Sequence, residues 1–320
     1  MIFTVLRTAA GAPVAPCVIR ALKSMPGVRV VAVDAEPLSC GFQLADAHYV
    51  VPLVSSPTFL PAMLQICQQE SVAVLFPDLD EELPLLAGAK GEFEAIGTHI
   101  LVSSLQTIRT CFDKYVTYQF FREHIIPTPK TYLPEHLGDE QEWRFPLIVK
   151  PRSGRGSTDV FKVTNPKDLC FFVNYVKNPI VQEFVHGTEY TIDTLSDLEG
   201  NFLYCSVRQR IATDSGISVK GRTVSHPVIR EYAKRIANAL RIIGPGCLQC
   251  IESEDGQVKF TEVNPRIGGS VVLSMAAGAP IVTDSVKLMR GEAPEGLQAY
   301  RPGLIMLRYW EEVFADKDAF

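Results

Sequence analysis

Two strand-like runs, about a hundred residues apart, each end in polar residues of complementary chemistry. The first, residues 147–157, passes through Lys150 into a glycine-bearing loop, and the second, residues 260–266, ends in a carboxylate, an amide and an arginine. Cations and backbone N–H groups bind phosphates, whereas Mg²⁺ takes hard oxygen ligands from a protein. A nucleoside triphosphate site needs both kinds of group, so the fold must bring these distant runs together.

The first hundred residues alternate between strand-like and helix-like patterns. Strands are predicted at residues 3–6, 29–33, 73–76 and 99–102, and helices between them at residues 16–24 and 58–70. Alternation of this kind predicts a parallel sheet with helices on its faces. The turn after the first strand lacks the Gly-x-Gly-x-x-Gly pattern, which argues against classical NAD binding.

The rest of the chain predicts a region of mixed helices and antiparallel strands. A long linker helix is expected at residues 105–124, before two prolines that forbid its continuation. The Asp255-Gly256 step is a strong hairpin signal that brings Gln249 close to Glu262. The expected fold class is α/β, with an N-terminal parallel-sheet domain at residues 1–104, a small α+β lobe with the linker helix and glycine loop at residues 105–185, and a large lobe with the metal site at residues 186–320.

Composition excludes several classes of function. With a net charge of -5, a pI near 5.8 and no basic run, the chain has no electrostatic footprint for DNA or RNA. The sequence shows no secretory leader pattern and no apolar stretch approaching the roughly 18 residues of a membrane span. We therefore expect a cytoplasmic protein that contacts neither nucleic acid nor membrane. Cys247 and Cys250 have no second pair with zinc-ligand spacing, which favours a packing role.

The glycine loop has a composition that suits phosphate binding. Gly154, Gly156 and Ser157 lie between two predicted strands, and glycines allow backbone amides to approach phosphate oxygens closely. The spacing is not that of a Walker A motif, and a single Gly-x-Gly step also fits an ordinary hairpin. Lys150, which precedes the loop, is the residue that favours a phosphate-binding role.

The second run has the features of a metal site. Glu262 and Asn264 are two positions apart on an extended segment, so their side chains share one face. A carboxylate and an amide oxygen suit Mg²⁺, and Gln249 on the partner strand offers a third oxygen. A solvated strand edge is the alternative interpretation. The Asn-Pro-Arg sequence that ends this buried run favours the metal site.

Two further charged segments each have two interpretations. Residues 78–82 follow the third strand at the edge where open α/β sheets bind ligands, and they fit either an acidic helix start or a contact to a substrate amine. Arg208 and Arg210 follow the strand predicted at residues 202–207 as alternate residues on one face, and Lys220 and Arg222 lie beyond a loop that contains Gly216. We expect Arg210 and Lys220 near the γ-phosphate or the substrate, with a solvated basic face as the alternative.

The ordered motifs resemble those of the ATP-grasp superfamily, with the closest likeness to the large-subunit branch of carbamoyl phosphate synthetase. In chain order they are Phe112-Asp113-Lys114, Val149-Lys150-Pro151, and residues 154–157, 182–190, 262–266 and 268–270. The resemblance covers about residues 105–310, and the residues before them resemble the Rossmann-like domain that precedes the ATP-grasp region in that family. Because no second synthetase half is present, the resemblance implies a free-standing ligase.

The resemblance implies a role for each matched residue of an ATP site. The implied set is Lys114, Lys150, Gly154, Arg155, Gly156, Ser157, Gln182, Glu183, Phe184, Val185 and Glu189. In the family, the two lysines hold the α- and β-phosphates, and the glycine loop covers the β- and γ-phosphates. Residues 183–185 match the hinge that recognises adenine through its backbone, and Glu189 matches the carboxylate that binds the ribose.

The resemblance also implies the metal ligands and the catalytic residues. The metal ligands are Gln249, Glu262 and Asn264, and Arg266 holds the reacting carboxylate or acyl phosphate. Related ligases often have an acidic residue at the first metal position, where this chain has glutamine, so Glu252 stays an alternative ligand. The expected catalytic set is Arg266, Lys150, Arg210 and Lys220.

Together these features favour an ATP- and Mg²⁺-dependent ligase, with Mn²⁺ as an alternative metal. It would convert a carboxylate into an acyl phosphate that an amine or another nucleophile attacks, with release of ADP and phosphate. The alternatives are a phosphotransferase that stops at the phosphorylated product and a non-catalytic ATP-binding subunit. The expected partners are small-molecule carboxylate and amine substrates, and a homodimer stays open.

Overall fold

The computed structural model describes residues 2–138, 143–154, 156 and 158–316. Its strands are β1 Phe3–Arg7, β2 Val28–Asp34, β3 Ala47–Val50, β4 Val74–Phe76, β5 His99–Ile100, β6 Thr131–Tyr132, β7 Leu147–Pro151, β8 Phe161–Val163, β9 Pro179–Glu183, β10 Gly187–Ser196, β11 Phe202–Asp214, β12 Ile217–Val224, β13 Gly244–Ser253, β14 Val258–Asn264 and β15 Ile305–Leu307. Its α-helices are α1 Ala15–Lys23, α2 Phe59–Gln69, α3 Leu83–Gly88, α4 Lys90–Ala95, α5 Leu105–Phe112, α6 Lys114–Glu123, α7 Pro166–Tyr175, α8 Pro227–Leu240, α9 Val271–Ala276 and α10 Ile281–Met289.

The N-terminal sheet has five parallel strands in the order β3-β2-β1-β4-β5. The predicted parallel α/β sheet is thus confirmed, and its four predicted strands correspond to β1, β2, β4 and β5. Strand β3 was not predicted, because this short edge strand is only partly buried and lacks an apolar run. The strand order reverses between β1 and β4, and ligands bind such sheets at the carboxyl ends of the strands that flank this point.

Both faces of the N-terminal sheet are covered. Helix α1 packs against one face through Val18 and Leu22, and α2 packs against the other through Phe59 and Met63. The core on the α1 side continues into the C-terminal part of the chain, where Val271 of α9 belongs to the same cluster of buried residues. The N-terminal sheet therefore packs directly against the C-terminal part of the chain.

The linker helix expected from the sequence is two helices, α5 and α6, that meet at Asp113. The Asp113 backbone is extended, with φ -101° and ψ 108°, and its side chain accepts hydrogen bonds from the N–H groups of Tyr115 and Val116. Arg152 Nε lies 2.9 Å from both carboxylate oxygens of Asp113. An aspartate in this position caps a new helix, so Lys114 becomes the first residue of α6.

The middle of the chain forms a four-stranded antiparallel sheet in the order β6-β9-β7-β8. Helix α7 covers one face, where Leu169 packs with Val149, Val163 and Val181. The glycine loop connects β7 to β8, as the sequence predicts. The lysine at position 150 is therefore near the end of a strand that is hydrogen-bonded on both sides.

The C-terminal part forms a six-stranded antiparallel sheet in the order β14-β13-β10-β11-β12-β15. Helix α8 covers one face, where Ile229 and Ile236 pack with Ile192, Leu248 and Phe260. Helices α9 and α10 pack against part of the opposite face, where Leu195 and Tyr204 cluster with Val271, Ile281 and Val286. Among the described residues, no helix has both the length and the apolar character of a membrane span.

Strands β13 and β14 form the hairpin that the Asp-Gly step predicts. Gln249 pairs with Glu262, and the register then shifts so that Cys250 pairs with Phe260. Thr261 is the extra residue, which is the arrangement of a β-bulge. Cys247 and Cys250 are buried free thiols on this hairpin, as their apolar surroundings in the sequence indicate.

Candidate active site

A cleft lies where the three sheets meet. Residues from the end of β4, the start of α6, the glycine loop and β14 line it, among them Asp80, Lys114, Gly154, Glu262 and Asn264. Four of these five were expected to act together from the sequence. The exception is Asp80, which belongs to the acidic segment whose role the sequence left open.

Lys150 is held beside the cleft by a short chain of hydrogen bonds. Its Nζ donates to Gln182 Oε1 at 2.9 Å, and Gln182 Nε2 donates to Thr131 Oγ1 at 2.8 Å. Burial lowers the pKa of Lys150 to about 8, and the neighbouring charge of Lys114 acts in the same direction while that of Glu262 opposes it. A partly desolvated ammonium group in this position is suited to bind phosphate oxygens.

The glycine loop begins beside the other expected phosphate ligand. Lys114 Nζ donates to the carbonyl oxygen of Gly154 at 2.9 Å. Gly154 and Gly156 have φ angles of 122° and 71°, which favour glycine, and the space where a Gly154 side chain would lie is open. Arg155 and Ser157, which the sequence also assigns to ATP binding, lie outside the described residues.

The three expected metal ligands lie together on one face of the six-stranded sheet. Gln249 and Glu262 are cross-strand neighbours, and Asn264 follows two positions later on β14. The set provides one carboxylate and two amide oxygens. Mg²⁺ in nucleotide sites takes one or two carboxylates and fills its other positions with water and phosphate oxygens, so these residues fit Mg²⁺. Among the residues that the structure describes, no cluster of three His, Cys, Asp or Glu side chains offers a metal site.

Glu252 lies on the opposite face of the same sheet and is not a neighbour of Glu262. Its carboxylate accepts a hydrogen bond from Tyr190 Oη at 3.0 Å and lies 3.1 Å from His226 Nε2, at the start of α8. Burial, together with this carboxylate, raises the pKa of Tyr190 to about 12. The structure therefore favours Gln249 over Glu252 as the third metal ligand.

The expected adenine hinge follows β9 and joins two of the sheets. The Glu183 backbone N–H donates to the Lys130 carbonyl at 2.8 Å, and the Glu183 carboxylate contacts Lys259 Nζ on β14 at 2.7 Å. Burial alone would raise the pKa of Glu183, but Lys259 and the Lys130 N–H group hold it below its ordinary value. Lys162 lies 3.9 Å above the ring of Phe184, and Val185 is buried.

Two residues with expected roles at the ribose and the γ-phosphate lie side by side. Arg210 Nε is 3.2 Å from Glu189 Oε2, without the alignment of a hydrogen bond. The other nitrogens of Arg210 donate to Thr191 Oγ1 at 3.3 Å and to the Gly216 carbonyl at 3.1 Å. Arg210 is therefore largely buried beside the exposed carboxylate of Glu189.

Lys220 lies on a different face of the six-stranded sheet from Arg210. Arg210 pairs with Gly221, so these two positions share a face of the sheet. Lys220 is the next residue along β12, and its exposed side chain is on the opposite face because side chains alternate along a strand. The two residues expected near the γ-phosphate therefore lie on opposite faces of the sheet.

Arg266 forms an ion pair that the sequence did not predict. Its Nε and Nη2 donate to the two carboxylate oxygens of Asp80 at 2.7 and 2.5 Å, and its Nη1 donates to the Ile267 carbonyl at 2.9 Å. Although burial opposes the effect, the Asp80 carboxylate raises the pKa of Arg266 above its ordinary value. Arg266 thus remains a cation at the edge of the cleft.

The carboxylates of the acidic segment after β4 have different partners. Asp78 contacts the buried Arg7 at 3.1 Å, whereas Glu82 accepts hydrogen bonds from Thr8 and from the N–H groups of Asp78 and Leu79. Glu82 directly precedes α3, but its carboxylate makes no capping hydrogen bond to that helix and instead ties the segment to Thr8. The only sequence signal for the role of Asp80 was its place at the carboxyl edge of a parallel sheet.

Family models match two parts of the chain. A model of the ATP-grasp domain matches residues 111–270, and a model of a PylC-like N-terminal domain matches residues 5–101. The chain belongs to the ATP-grasp family. The first match contains Lys114, Lys150 and the residues of the expected metal site, so the ATP-grasp match and the geometry of the cleft agree.

Curated relatives of this ATP-grasp chain include large chains of carbamoyl phosphate synthase. The one from Methanothermobacter thermautotrophicus is 24% identical over 299 residues, which cover 85% of this chain and 28% of the relative. The one from Thermoanaerobacter sp. is 26% identical over 314 residues, which cover 90% of this chain and 28% of the relative. The ATP-grasp chain thus spans little more than a quarter of the length of these relatives.

Solved structures of other enzymes have the same fold. The biotin carboxylase domain of Hydrogenobacter thermophilus 2-oxoglutarate carboxylase, in complex with MgADP, ADP and bicarbonate, is 20% identical with a TM-score of 0.75, and the match covers 95% of this chain and 73% of that one. N5-carboxyaminoimidazole ribonucleotide synthetase from Thermotoga maritima is 21% identical with a TM-score of 0.71, covering 94% and 79%. At these identities the likeness shows the ATP-grasp fold alone.

Proposed function

We propose that this protein is an ATP- and Mg²⁺-dependent ligase that activates a small-molecule carboxylate as an acyl phosphate. An amine, or another nucleophile, then attacks the acyl carbon, and ADP and phosphate are released. The observation that carries the proposal is the convergence of Lys114, Lys150, Glu262 and Asn264 around one cleft, with Arg266 next to it. This set provides both kinds of group that a nucleoside triphosphate needs.

The lysines and the glycine loop would bind the phosphates. Gln182 fixes the ammonium group of Lys150, and Lys114 contacts the loop carbonyl that precedes Arg155. In this proposal Lys114 and Lys150 neutralise charge on the α- and β-phosphates, and the N–H groups of residues 154–157 contact the β- and γ-phosphates. Because the barrier to phosphoryl transfer is lowered mainly by positioning and charge neutralisation, these contacts account for most of the expected rate gain.

The hinge and its neighbours would bind the nucleoside. Residues 183–185 leave β9 beside the cleft, and the carboxylate of Glu183 is already engaged by Lys259 and the Lys130 N–H group. Adenine recognition would therefore fall to backbone groups of the hinge, as the family resemblance implies. Glu189 is half-exposed and supported by Arg210, which leaves carboxylate oxygen available to the ribose hydroxyls.

The metal ligands and Arg266 would act on the transferred group. Gln249, Glu262 and Asn264 would hold Mg²⁺, which supplies charge neutralisation at the phosphates when bound. Arg266 would orient the reacting carboxylate or acyl phosphate. A covalent enzyme intermediate is not required, and burial raises the pKa of Cys247 to about 12, so this thiol is not a nucleophile at neutral pH.

Release of ADP in the presence of candidate acids tests the proposal. We would incubate the protein with MgATP, panels of amino acids and small carboxylates, and an amine, and measure ADP and the organic product. A carboxylate labelled with ¹⁸O must transfer one labelled oxygen to phosphate if an acyl phosphate forms and is then attacked at carbon. A stable phosphorylated product would indicate a phosphotransferase instead, and binding of MgATP without turnover by any acid would indicate a non-catalytic subunit.

The same experiment has a matched pair of variants. Glu262→Gln removes the single carboxylate of the metal site, whereas Glu252→Gln changes a carboxylate on the opposite face of the same hairpin. Loss of ADP release in the first variant and its retention in the second would place the reaction in the cleft. Sedimentation of the protein with and without MgATP would test the homodimer that the sequence leaves open.

A further inference from the structure

The ion pair between Asp80 and Arg266 joins two parts of the fold that are distant in the chain. Asp80 follows the end of β4 in the N-terminal sheet, and Arg266 follows the end of β14 in the six-stranded sheet. Both side chains are about 15% exposed. The pair is bidentate, with Nε and Nη2 of Arg266 on one carboxylate, which is the strongest geometry available to these groups.

A count of donors shows what this pair leaves to a ligand. An arginine side chain carries five N–H donors, one on Nε and two on each terminal nitrogen. Asp80 takes one from Nε and one from Nη2, and the Ile267 carbonyl takes one from Nη1. The two donors that remain are one N–H on Nη1 and one on Nη2. Neither is on the side of the guanidinium group that faces Asp80.

Displacement of Asp80 by a substrate carboxylate would be costly. Arg266 would exchange one carboxylate for another, but Asp80 would lose its partner in a mostly buried place. Breaking a buried pair in this way typically costs enough free energy to reduce the binding constant of the substrate by about a hundredfold or more. The cation that contacts the same segment is Arg7, and it is already paired with Asp78, two positions from Asp80.

We propose that Asp80 is a positioning residue for the transfer of the phosphoryl group, an inference that rests on the proposed function. It keeps the guanidinium group of Arg266 in one orientation, and the two remaining donors of Arg266 contact the transferred group. Asp80 does not itself touch the substrate. The interpretation of this segment as a contact to a substrate amine is replaced, for Asp80, by a role that acts through Arg266.

The probe for this role is MgADP with and without aluminium fluoride, which imitates the transferred phosphoryl group. Calorimetry would measure the gain in affinity that fluoroaluminate adds to MgADP in the wild type and in Asp80→Asn. The substitution keeps the size of the side chain but removes its charge. In Asp80→Asn we expect an affinity for MgADP within about twofold of wild type. The gain in affinity from fluoroaluminate should be roughly 10- to 100-fold smaller, which is somewhat less than the effect of deleting a charge-stabilising donor.

Two further variants separate positioning from a structural role. Asp80→Glu keeps the charge and should recover part of the gain, whereas Glu311→Gln changes an exposed ion pair with Arg20 and should leave both affinities unchanged. An unchanged gain in Asp80→Asn would overturn the proposal, as would an equal loss of affinity for MgADP alone and for the fluoroaluminate complex. If fluoroaluminate adds nothing in the wild type, phosphoryl transfer itself, and with it the proposed function, is wrong.

Discussion

Gln249 and Glu262 lie directly opposite each other on adjacent antiparallel strands, on the face of the sheet that is turned away from α8. The neighbours of each residue along its strand, Leu248 and Val263, are buried against that helix. Side chains on a strand alternate between the two faces, so burial of these neighbours directs the amide and the carboxylate toward the cleft. The proposed metal ligands are therefore oriented by the packing of the opposite face.

Glu262→Gln should weaken the binding of ATP in the presence of Mg²⁺. The variant leaves three amide oxygens and no charge to hold the ion, so the loss should be at least the roughly 10- to 100-fold that removal of an outer-shell metal partner causes. Titration calorimetry at several Mg²⁺ concentrations would measure it. Glu252→Gln is the control, and an equal effect of the two substitutions would contradict the metal assignment.

Lys150 should make ATP affinity depend on pH. Because the pKa of Lys150 is lowered to about 8, the ammonium group loses its proton as the pH rises through that value, and the charge that binds phosphate is lost with it. We expect constant affinity below about pH 8 and a decline of up to about tenfold per pH unit above it. Equilibrium binding measured across this range would show the change.

Lys150→Met should abolish this pH dependence and lower the affinity at neutral pH. Lys167→Met is a suitable control, because Lys167 is an exposed lysine at the start of α7 on the same four-stranded sheet. If Lys150→Met binds ATP as the wild type does and keeps its fold, Lys150 does not bind the phosphates, and other groups do.

Arg266→Lys should separate binding from turnover. Lysine keeps the charge but cannot keep the bidentate contact with Asp80 or present two further donors in a fixed plane. ATP affinity should stay nearly unchanged, and the rate of ADP release with an active acid should fall by roughly 10²- to 10³-fold. Parallel losses of affinity and rate, or full activity, would show that Arg266 has no role in the transferred-group chemistry.

Glu82 should make the stability of the fold depend on pH. Burial raises the pKa of Glu82 to about 7, although its hydrogen bonds with Leu79 and Thr8 oppose the change. The folded state therefore holds the proton more tightly than the unfolded state, whose carboxyl group titrates near its ordinary pKa of about 4.5. The stabilisation by protonated Glu82 is complete below about pH 4.5 and is lost as the pH rises through about 7.

Glu82→Gln should remove this dependence, because an amide can accept the same hydrogen bonds without a charge. Between acidic and mildly basic pH, the free energy of unfolding of the wild type should fall by up to about 3 kcal/mol more than that of the variant. Urea unfolding at about pH 5 and about pH 8 would measure the difference. Glu92→Gln, in an exposed position on α4, should show no such change.

Local signals in the sequence predicted much of the fold and part of the site. The N-terminal sheet followed from its alternating pattern, and the neighbouring positions of Gln249 and Glu262 followed from the turn at Asp255-Gly256. The break at Asp113 was missed, although an aspartate before a new helical turn is a capping signal, because the apolar pattern continues across it.

Other features depend on contacts that no local pattern contains. Asp80 and Arg266 are 186 residues apart, and only the packing of the N-terminal sheet against the six-stranded sheet brings them together. The face of Lys220 depends on its cross-strand pairing with β11, where the register shifts after Arg210. A residue's side of a sheet follows from sequence only where the partner strand and its register are already known.

The β-bulge at Thr261 makes the length of β14 as important as its composition. Lys259 and Glu262 are three positions apart, an odd number that would place them on opposite faces of a regular strand, yet both are on the face turned away from α8 because Thr261 is an extra residue. The segment from Lys259 to Arg266 thereby reaches the hinge at one end and Asp80 at the other. Deletion of Thr261 would turn Lys259 away from Glu183 or Glu262 into the core, so we expect insertions and deletions to be excluded from this segment in any active variant.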